Sequence, residues 1–325
     1  MLDSALRAVY STLAPAGAGA RLSVLIFHRV LVTRDPLLPE EPSAAEFEAR
    51  MHWVRRHFNV VPLIEAVERL QSGTLPARPL AITFDDGYAD NYEIAAPILQ
   101  KLGLTATFFI ATGYLDGGVM FNDSVISAVR GCQSKALNLT ELGLGIHALD
   151  SIEQRRHAIA TLLPPVKVLD PLRRTATVES ICQIAKVIPP DALMMTSSQV
   201  AALARDGFGI GAHTVTHPIL ARLDPVVARQ EIDRGRDQLE EISQTPVRLF
   251  AYPNGRPGDD YTAHTTELVK HLGFAAAFTT AHGVAGKNAD FFQLPRFTPW
   301  DLGELKFGAR MARNLLKVNP VAVTQ

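Results

Sequence analysis

Pro79-Leu80-Ala81-Ile82-Thr83-Phe84-Asp85-Asp86-Gly87 decides how the rest of the chain is read. A short apolar run flows into two adjacent carboxylates and a glycine. Such a run reads as a buried strand that delivers two acids to its C-terminal edge, where parallel α/β folds carry their sites. Ionised carboxylates side by side repel, so the site needs a cation or a shared proton to hold both. Successive strand residues point opposite ways, so the two acids can take different jobs.

Outward from this stretch, Leu22–Phe27 is β-rich, ends at His28-Arg29, and predicts the first strand. Ser43 and Glu46 form a capping box that opens a helix to about residue 58. A brief extended piece at 60–61 and a helix over 63–71 follow. After the diagnostic strand, a helix over about 91–102 closes at Gly103, and 105–111 is strand again. This alternation predicts βαβ units on a parallel sheet. From about 116 to 195 the rhythm breaks. Helical patterning dominates there, with one helix over about 122–130 and another over 152–163 ended by Pro164-Pro165, and no strong strand. The rhythm resumes with strands near 208, 248, 274 and 294, and helices over 198–205, 224–242, 261–272 and 302–316. About seven strands predict an α/β fold: a distorted (β/α) barrel with a helical insertion. Residues 1–21 read as an N-terminal helix or arm, and 22–325 as a single barrel domain.

With 325 residues and 47% hydrophobic content, a full-sized core is available. The formal net charge of −1 supplies no field to recruit nucleic acid. The two cysteines, Cys132 and Cys182, form no C-x-x-C pair and read as reduced, buried thiols. No apolar stretch approaches ~18 uninterrupted residues, so no membrane span is expected. The amphipathic pattern over 2–14 leaves peripheral membrane contact open. No proper apolar signal region precedes Ala18-Gly19-Ala20, so a cytoplasmic protein is expected.

A second fragment lies about 130 residues beyond the acids: His213-Thr214-Val215-Thr216-His217, directly after a strand. Pro218 disfavours helical geometry at His217, which puts the pair in a tight loop or at a helix entry. One Asp and two His make a three-ligand metal site with room for water. Asp-His-His accepts zinc, cobalt or nickel. A third fragment, Arg248-Leu-Phe-Ala-Tyr-Pro-Asn-Gly255, ends in a turn signal.

These three fragments together resemble the polysaccharide deacetylases with a NodB-type homology domain (carbohydrate esterase family 4), over about residues 22–113 and 198–298. The resemblance implies a distorted barrel and removal of acetyl groups from sugars with a divalent metal, most commonly Zn2+. It implies that Asp85 is the general base, that Asp86, His213 and His217 are the metal ligands, and that the backbone N–H of Asn254 helps hold the oxyanion. Tyr252, beside it, is a candidate substrate contact.

The sequence departs from the family in places. Ala251 stands where an arginine often steers the base, and Arg248 and Arg296 are the candidate substitutes. The usual Leu-x-His acid is not visible, and His282 is the candidate general acid. His28, at the end of the first strand, is a candidate for lining the pocket or positioning substrate. Asn254 replaces a common aromatic, and Trp300 is a candidate sugar platform. The remaining histidines, His52, His57, His147, His157, His264 and His271, read as surface or helix residues. The expected partner is an N-acetylated glycan or a lipid-linked sugar precursor. Hydrolysis of a non-sugar amide or imide, and a glycan-binding homologue with impaired turnover, are the alternatives.

Overall fold

The structure is a computed structural model that describes residues 2–299, 303–320 and 323. Trp300 lies outside the described residues. The strands are β1 (Ser23–Phe27), β2 (Asn59–Val60), β3 (Pro79–Phe84), β4 (Thr107–Ile110), β5 (Ala136–Leu139), β6 (Gly145–Ala148), β7 (Gly209–Ala212), β8 (Leu249–Ala251) and β9 (Ala276–Phe278). Seven of them form one parallel sheet in the order β1-β3-β4-β7-β8-β9, with β2 paired to the start of β3. The sheet curls into a distorted (β/α) barrel flanked by helices.

The helices are α1 (Leu2–Leu13), α2 (Ala44–His57), α3 (Leu63–Ser72), α4 (Ala96–Lys101), α5 (Phe121–Gly131), α6 (Ile152–Lys167), α7 (Pro171–Ala185), α8 (Ser197–Arg205), α9 (Pro225–Ser243), α10 (Ala263–His271) and α11 (Glu304–Leu315). Ser43 and Glu46 close the expected capping box on α2.

Strand alternation divides the core. Leu80, Ile82 and Phe84 pack with Phe108, Ile110 and Phe250 in one apolar cluster, whereas Ala81 joins Phe109, Ala251 and Phe278 in another. Ala81, Thr83 and Asp85 therefore share a face by their period of two. The seventh strand expected near 294 is present only as single bridges, Leu294 to Phe278 and Phe297 to Leu25. Those bridges carry the chain from β9 back to β1 and draw the two edges of the sheet together. Pro295 explains part of the difference, because it has no N–H to give a ladder.

Between β4 and β7 the chain builds the insertion: α5, the antiparallel pair β5–β6, α6 and α7. The hairpin departs from the expectation of helical patterning with no strong strand. Leu137 and Leu139 are buried on one face of β5, and the intervening residues are exposed. Four residues are too few for that alternation to stand out from helical surroundings. The Pro164-Pro165 pair does not end α6, which runs to Lys167 with both prolines inside. Cys132 and Cys182 are free and buried in the apolar cluster of this segment. Among the described residues, no helix is long and apolar enough to cross a membrane.

Candidate metal centre

The end of β3 sets the first two acids. Phe84 pairs with Phe27 of β1, and the Asp85 N–H donates to the Phe27 carbonyl at 2.9 Å. Asp86 then turns left-handed at φ 77°, followed by Gly87 at φ 93°. A Cβ on Gly87 would sit 2.9 Å from Ile110 Cγ2, so this turn needs glycine. The reversal separates the two carboxylates: Asp85 stays on the inward face of its strand, and Asp86 leaves it.

β7 supplies the histidines. Its small residues Gly209 and Gly211 lie against Thr107 and Phe109 of β4, where a Cβ would collide at 2.5 and 2.3 Å. His213 follows at once, and Thr214 and His217 both take left-handed φ, 67° and 51°. That backbone brings the two rings to a centroid distance of 4.8 Å.

Asp86, His213 and His217 converge. Asp86 Oδ1 lies 3.4 Å from Nε2 of each histidine, and one ligand atom from each residue lies within 4.8 Å of the others. All three residues are buried, and Asp86 Oδ1 has no hydrogen-bond partner among the described residues. A separation of 3.4 Å is long for a charge-assisted hydrogen bond. It is close to the separation expected of two donors that each lie ~2.0–2.1 Å from one shared ion, the usual Zn–N and Zn–O distance. An orphaned buried carboxylate oxygen and two imidazole nitrogens at this spacing fit a divalent cation.

The electrostatics agree with that fit. Burial alone would raise the Asp86 pKa, but the neighbouring imidazoles outweigh it and hold the carboxyl well below its usual range. Burial, with the adjacent His213 and Arg174, drives His217 down to about 3 against the pull of Asp86. That histidine is therefore neutral at pH 7, the form that binds metal. His213 moves the other way. Burial lowers it, but Asp85 and Asp86 together raise it above its ordinary value. The two differ because His213 faces both acids, its Nε2 lying 3.9 Å from Asp85 Oδ2, while His217 touches only Asp86. His213 Nδ1 meets the Ala251 carbonyl at 2.8 Å, which leaves Nε2 for the centre.

Asp85 is gripped by Arg296. Two guanidinium nitrogens donate to its two oxygens at 2.6 and 2.7 Å, and both side chains are buried. The Arg296 Nε donates to the Thr279 carbonyl at 3.0 Å, fixing the fork. Burial would raise the Asp85 pKa, and Arg296 with His213 brings it below the ordinary carboxylate value. Of the two candidate replacements for an arginine at Ala251, the structure brings only Arg296 to Asp85. Arg248 is exposed and pairs with Glu68 at 2.7 Å on the surface.

A pocket of about 400 Å³ opens over these groups, with His28, Asn254 and Thr280 on its wall beside the two acids and two histidines. It adjoins a wider cleft of about 570 Å³. Asn254 takes a left-handed φ of 61°, and its carbonyl accepts from Thr280 Oγ1 at 2.9 Å. Among the described residues its N–H meets no hydrogen-bond acceptor. His282 lines the wider cleft with Asp86 but not the pocket that holds Asp85, His213 and His217.

Tyr252 corrects the expectation of a substrate contact. Its ring is fully buried and stacked on Tyr261 at 4.0 Å, and its hydroxyl donates to the Phe292 carbonyl at 2.9 Å. Of the histidines read as surface or helix residues, His57 is the buried last residue of α2, packed on Trp53. His147 departs from that reading: it is buried on β6 and meets the Leu144 carbonyl.

Sequence reasoning missed several groups at the site. Asn122 and Lys167 of the insertion line both the pocket and the cleft, as does Arg256, one residue beyond the turn at 253–255. Arg256 could have been found from that adjacency. The other two carry no local signal, because only the fold of the insertion brings them over the barrel.

A conserved-domain profile described as polysaccharide deacetylase matches residues 72–162 and 165–277. The chain belongs to the polysaccharide deacetylase family. It is 22% identical to a putative polysaccharide deacetylase, YxkH of Bacillus subtilis, over 85% of this chain and 71% of that one. It is 30% identical to a poly-beta-1,6-N-acetyl-D-glucosamine N-deacetylase of Staphylococcus aureus, over 34% of this chain and 39% of that one. The structure of IcaB from Ammonifex degensii shares the fold at a TM-score of 0.57 and 20% identity, covering 93% of this chain and 98% of that one.

Proposed function

We propose that this chain is a metal-dependent N-deacetylase of an N-acetylated glycan, with a β-1,6-linked N-acetylglucosamine chain as the leading substrate. The observation that carries the reading is the buried Asp86–His213–His217 trio, with Asp85 held ionised beside it by Arg296. The named activity of the Staphylococcus aureus relative supports the choice of sugar. The adjoining pocket and cleft have room for more than one sugar ring.

Asp86, His213 and His217 would hold the ion. Bound there, a divalent cation supplies Lewis-acid chemistry and eases deprotonation of water near neutral pH. The residues of the chain divide the remaining work. Asp85 stays a carboxylate through the physiological range and accepts the proton of the attacking water. Arg296 keeps both Asp85 oxygens aligned and ionised. The Asn254 N–H, in a residue of the pocket wall, would donate to the oxygen that gains charge as the acetyl carbon becomes tetrahedral. His282, on the cleft wall, is the candidate that returns a proton to the leaving amine.

Acetate release tests the reading. Purified protein should release acetate from β-1,6-linked N-acetylglucosamine oligomers, lose that activity to a chelator, and regain it with Zn2+, Co2+ or Ni2+. Release from small amides or imides but not from the oligomers would move the substrate outside sugars. Tight oligomer binding without turnover would favour a glycan-binding role. A cytoplasmic location, which would favour a precursor or lipid-linked sugar over the finished chain, is tested by fractionating cells and following the protein.

A further inference from the structure

The two histidines are held in different ways. A metal-binding histidine ordinarily fixes its ring by donating its second nitrogen to an acceptor. His213 does this through Nδ1 to the Ala251 carbonyl. His217 does not: its Nδ1 is buried and has no partner among the described residues. Its ring direction must come from its backbone. That backbone is left-handed at Thr214 and at His217, a conformation that non-glycine residues adopt at a cost.

The loop between the histidines is gripped from two sides. From α9, Glu231 accepts from the Val215 N–H at 3.0 Å, the Thr216 N–H at 2.8 Å and the Thr216 hydroxyl at 2.8 Å. Gly235, one turn further on, lets the helix approach; a Cβ there would meet the Thr214 carbonyl carbon and oxygen at 2.9 Å. From α7 in the insertion, Arg174 donates to the Thr216 carbonyl at 2.9 Å, and Tyr114 donates to the same oxygen at 2.8 Å. Arg174 is buried and lies 4.8 Å over the Phe121 ring, so it is not a loose surface arm.

We infer that Glu231 and Arg174 are positioning residues which set the direction of His217 through its loop, and that the insertion, through Arg174, shares in tuning the affinity of the metal centre. This rests on the proposed metal-dependent reading. The clamp replaces the missing Nδ1 contact with three charge-assisted hydrogen bonds to the amides and hydroxyl on one side and one to a carbonyl on the other. Its effect should match that of other outer partners of metal ligands, whose loss weakens metal binding 10- to 100-fold.

The test measures metal affinity, not turnover. Zn2+ binding to the full-length protein is measured by competition with a chromophoric chelator, and Co2+ absorption reports the geometry. Glu231→Gln should weaken Zn2+ about 10- to 100-fold and change the Co2+ spectrum. Arg174→Met leaves Tyr114 donating to the same carbonyl and should weaken Zn2+ by the low end of that range, about 10-fold. Asp233→Asn, on the same helix but paired with Arg236, is the charge control and should bind as the wild type does. Equal affinity and spectra in wild type, Glu231→Gln and Arg174→Met would overturn the clamp, and so would an equal loss in Asp233→Asn. If Glu231→Gln does not fold, the Arg174→Met result decides. A wild-type protein that binds neither ion would instead overturn the metal reading itself.

Discussion

Arg296→Met removes the guanidinium from Asp85 while keeping much of its apolar length. In the wild type both partners are buried and joined by contacts of 2.6 and 2.7 Å. Removing one partner of such a pair leaves a buried charge uncompensated, which costs about 3–5 kcal/mol. Asp85 can escape that cost by taking up a proton, so the variant should be pH-sensitive in the opposite sense to the wild type.

The sign follows from the direction of the shift. The wild-type Asp85 pKa is depressed. Its ionised form therefore adds stability above the unfolded value of ~3.9, and that stability is lost only as pH falls through the lower folded value. In the variant, burial acts with His213 as the main remaining counter-charge, and the pKa rises. Stability should then decline as pH climbs above ~4. Urea unfolding at pH 5 and pH 8, together with the pH profile of kcat/KM for acetate release, reads both effects. The expected result is a loss of about 3–5 kcal/mol at pH 8, smaller at pH 5, with the acidic limb of kcat/KM moved up by a unit or more. Arg296→Lys should fall between, because an ammonium keeps the charge but not the fork. A variant within 1 kcal/mol of wild type at both pH values, with an unmoved acidic limb, would refute the role given to Arg296.

Other outcomes follow from the same geometry. Asp85→Asn should lower kcat by about 10²- to 10⁴-fold and leave the bound metal in place, checked by acetate release and metal analysis on one preparation. Gly235→Ala should cost about 1–3 kcal/mol in urea unfolding, because its methyl would press on the Thr214 backbone. Burial pushes Asp123 up to about 6 despite Arg29 and the Tyr88 hydroxyl. The folded state therefore holds that proton more tightly than the unfolded chain, and stability should fall between pH 4 and 6. Asp123→Asn should flatten that part of the stability–pH curve.

The barrel was legible because its parallel strands are continuous apolar runs, and because 79–87 places its acids at a strand end. Asp86, His213 and His217 could be grouped from sequence since each follows a strand of the same sheet, and parallel strands bring their C-terminal ends together. Arg296 was open against Arg248 because its role depends on the chain crossing from β9 back to β1 near 294–297, a closure held by isolated bridges rather than a strand. Tyr252 sits beside a pocket residue without being one: Asn254 reaches the pocket, but strand-like alternation turns the tyrosine ring into the core. The β5–β6 hairpin lay hidden in a segment whose helices dominate the pattern. Glu231 holds a loop 15 residues before it and Arg174 one 42 residues after it, and nothing local in the sequence marks either.

Direct titration of the metal-free protein with Zn2+, followed calorimetrically, tests whether Asp86, His213 and His217 share one ion. One ion per chain is expected, with binding abolished in Asp86→Ala and in His217→Ala although both variants stay folded. No binding to the wild type, or stoichiometric binding that survives both substitutions, would contradict it.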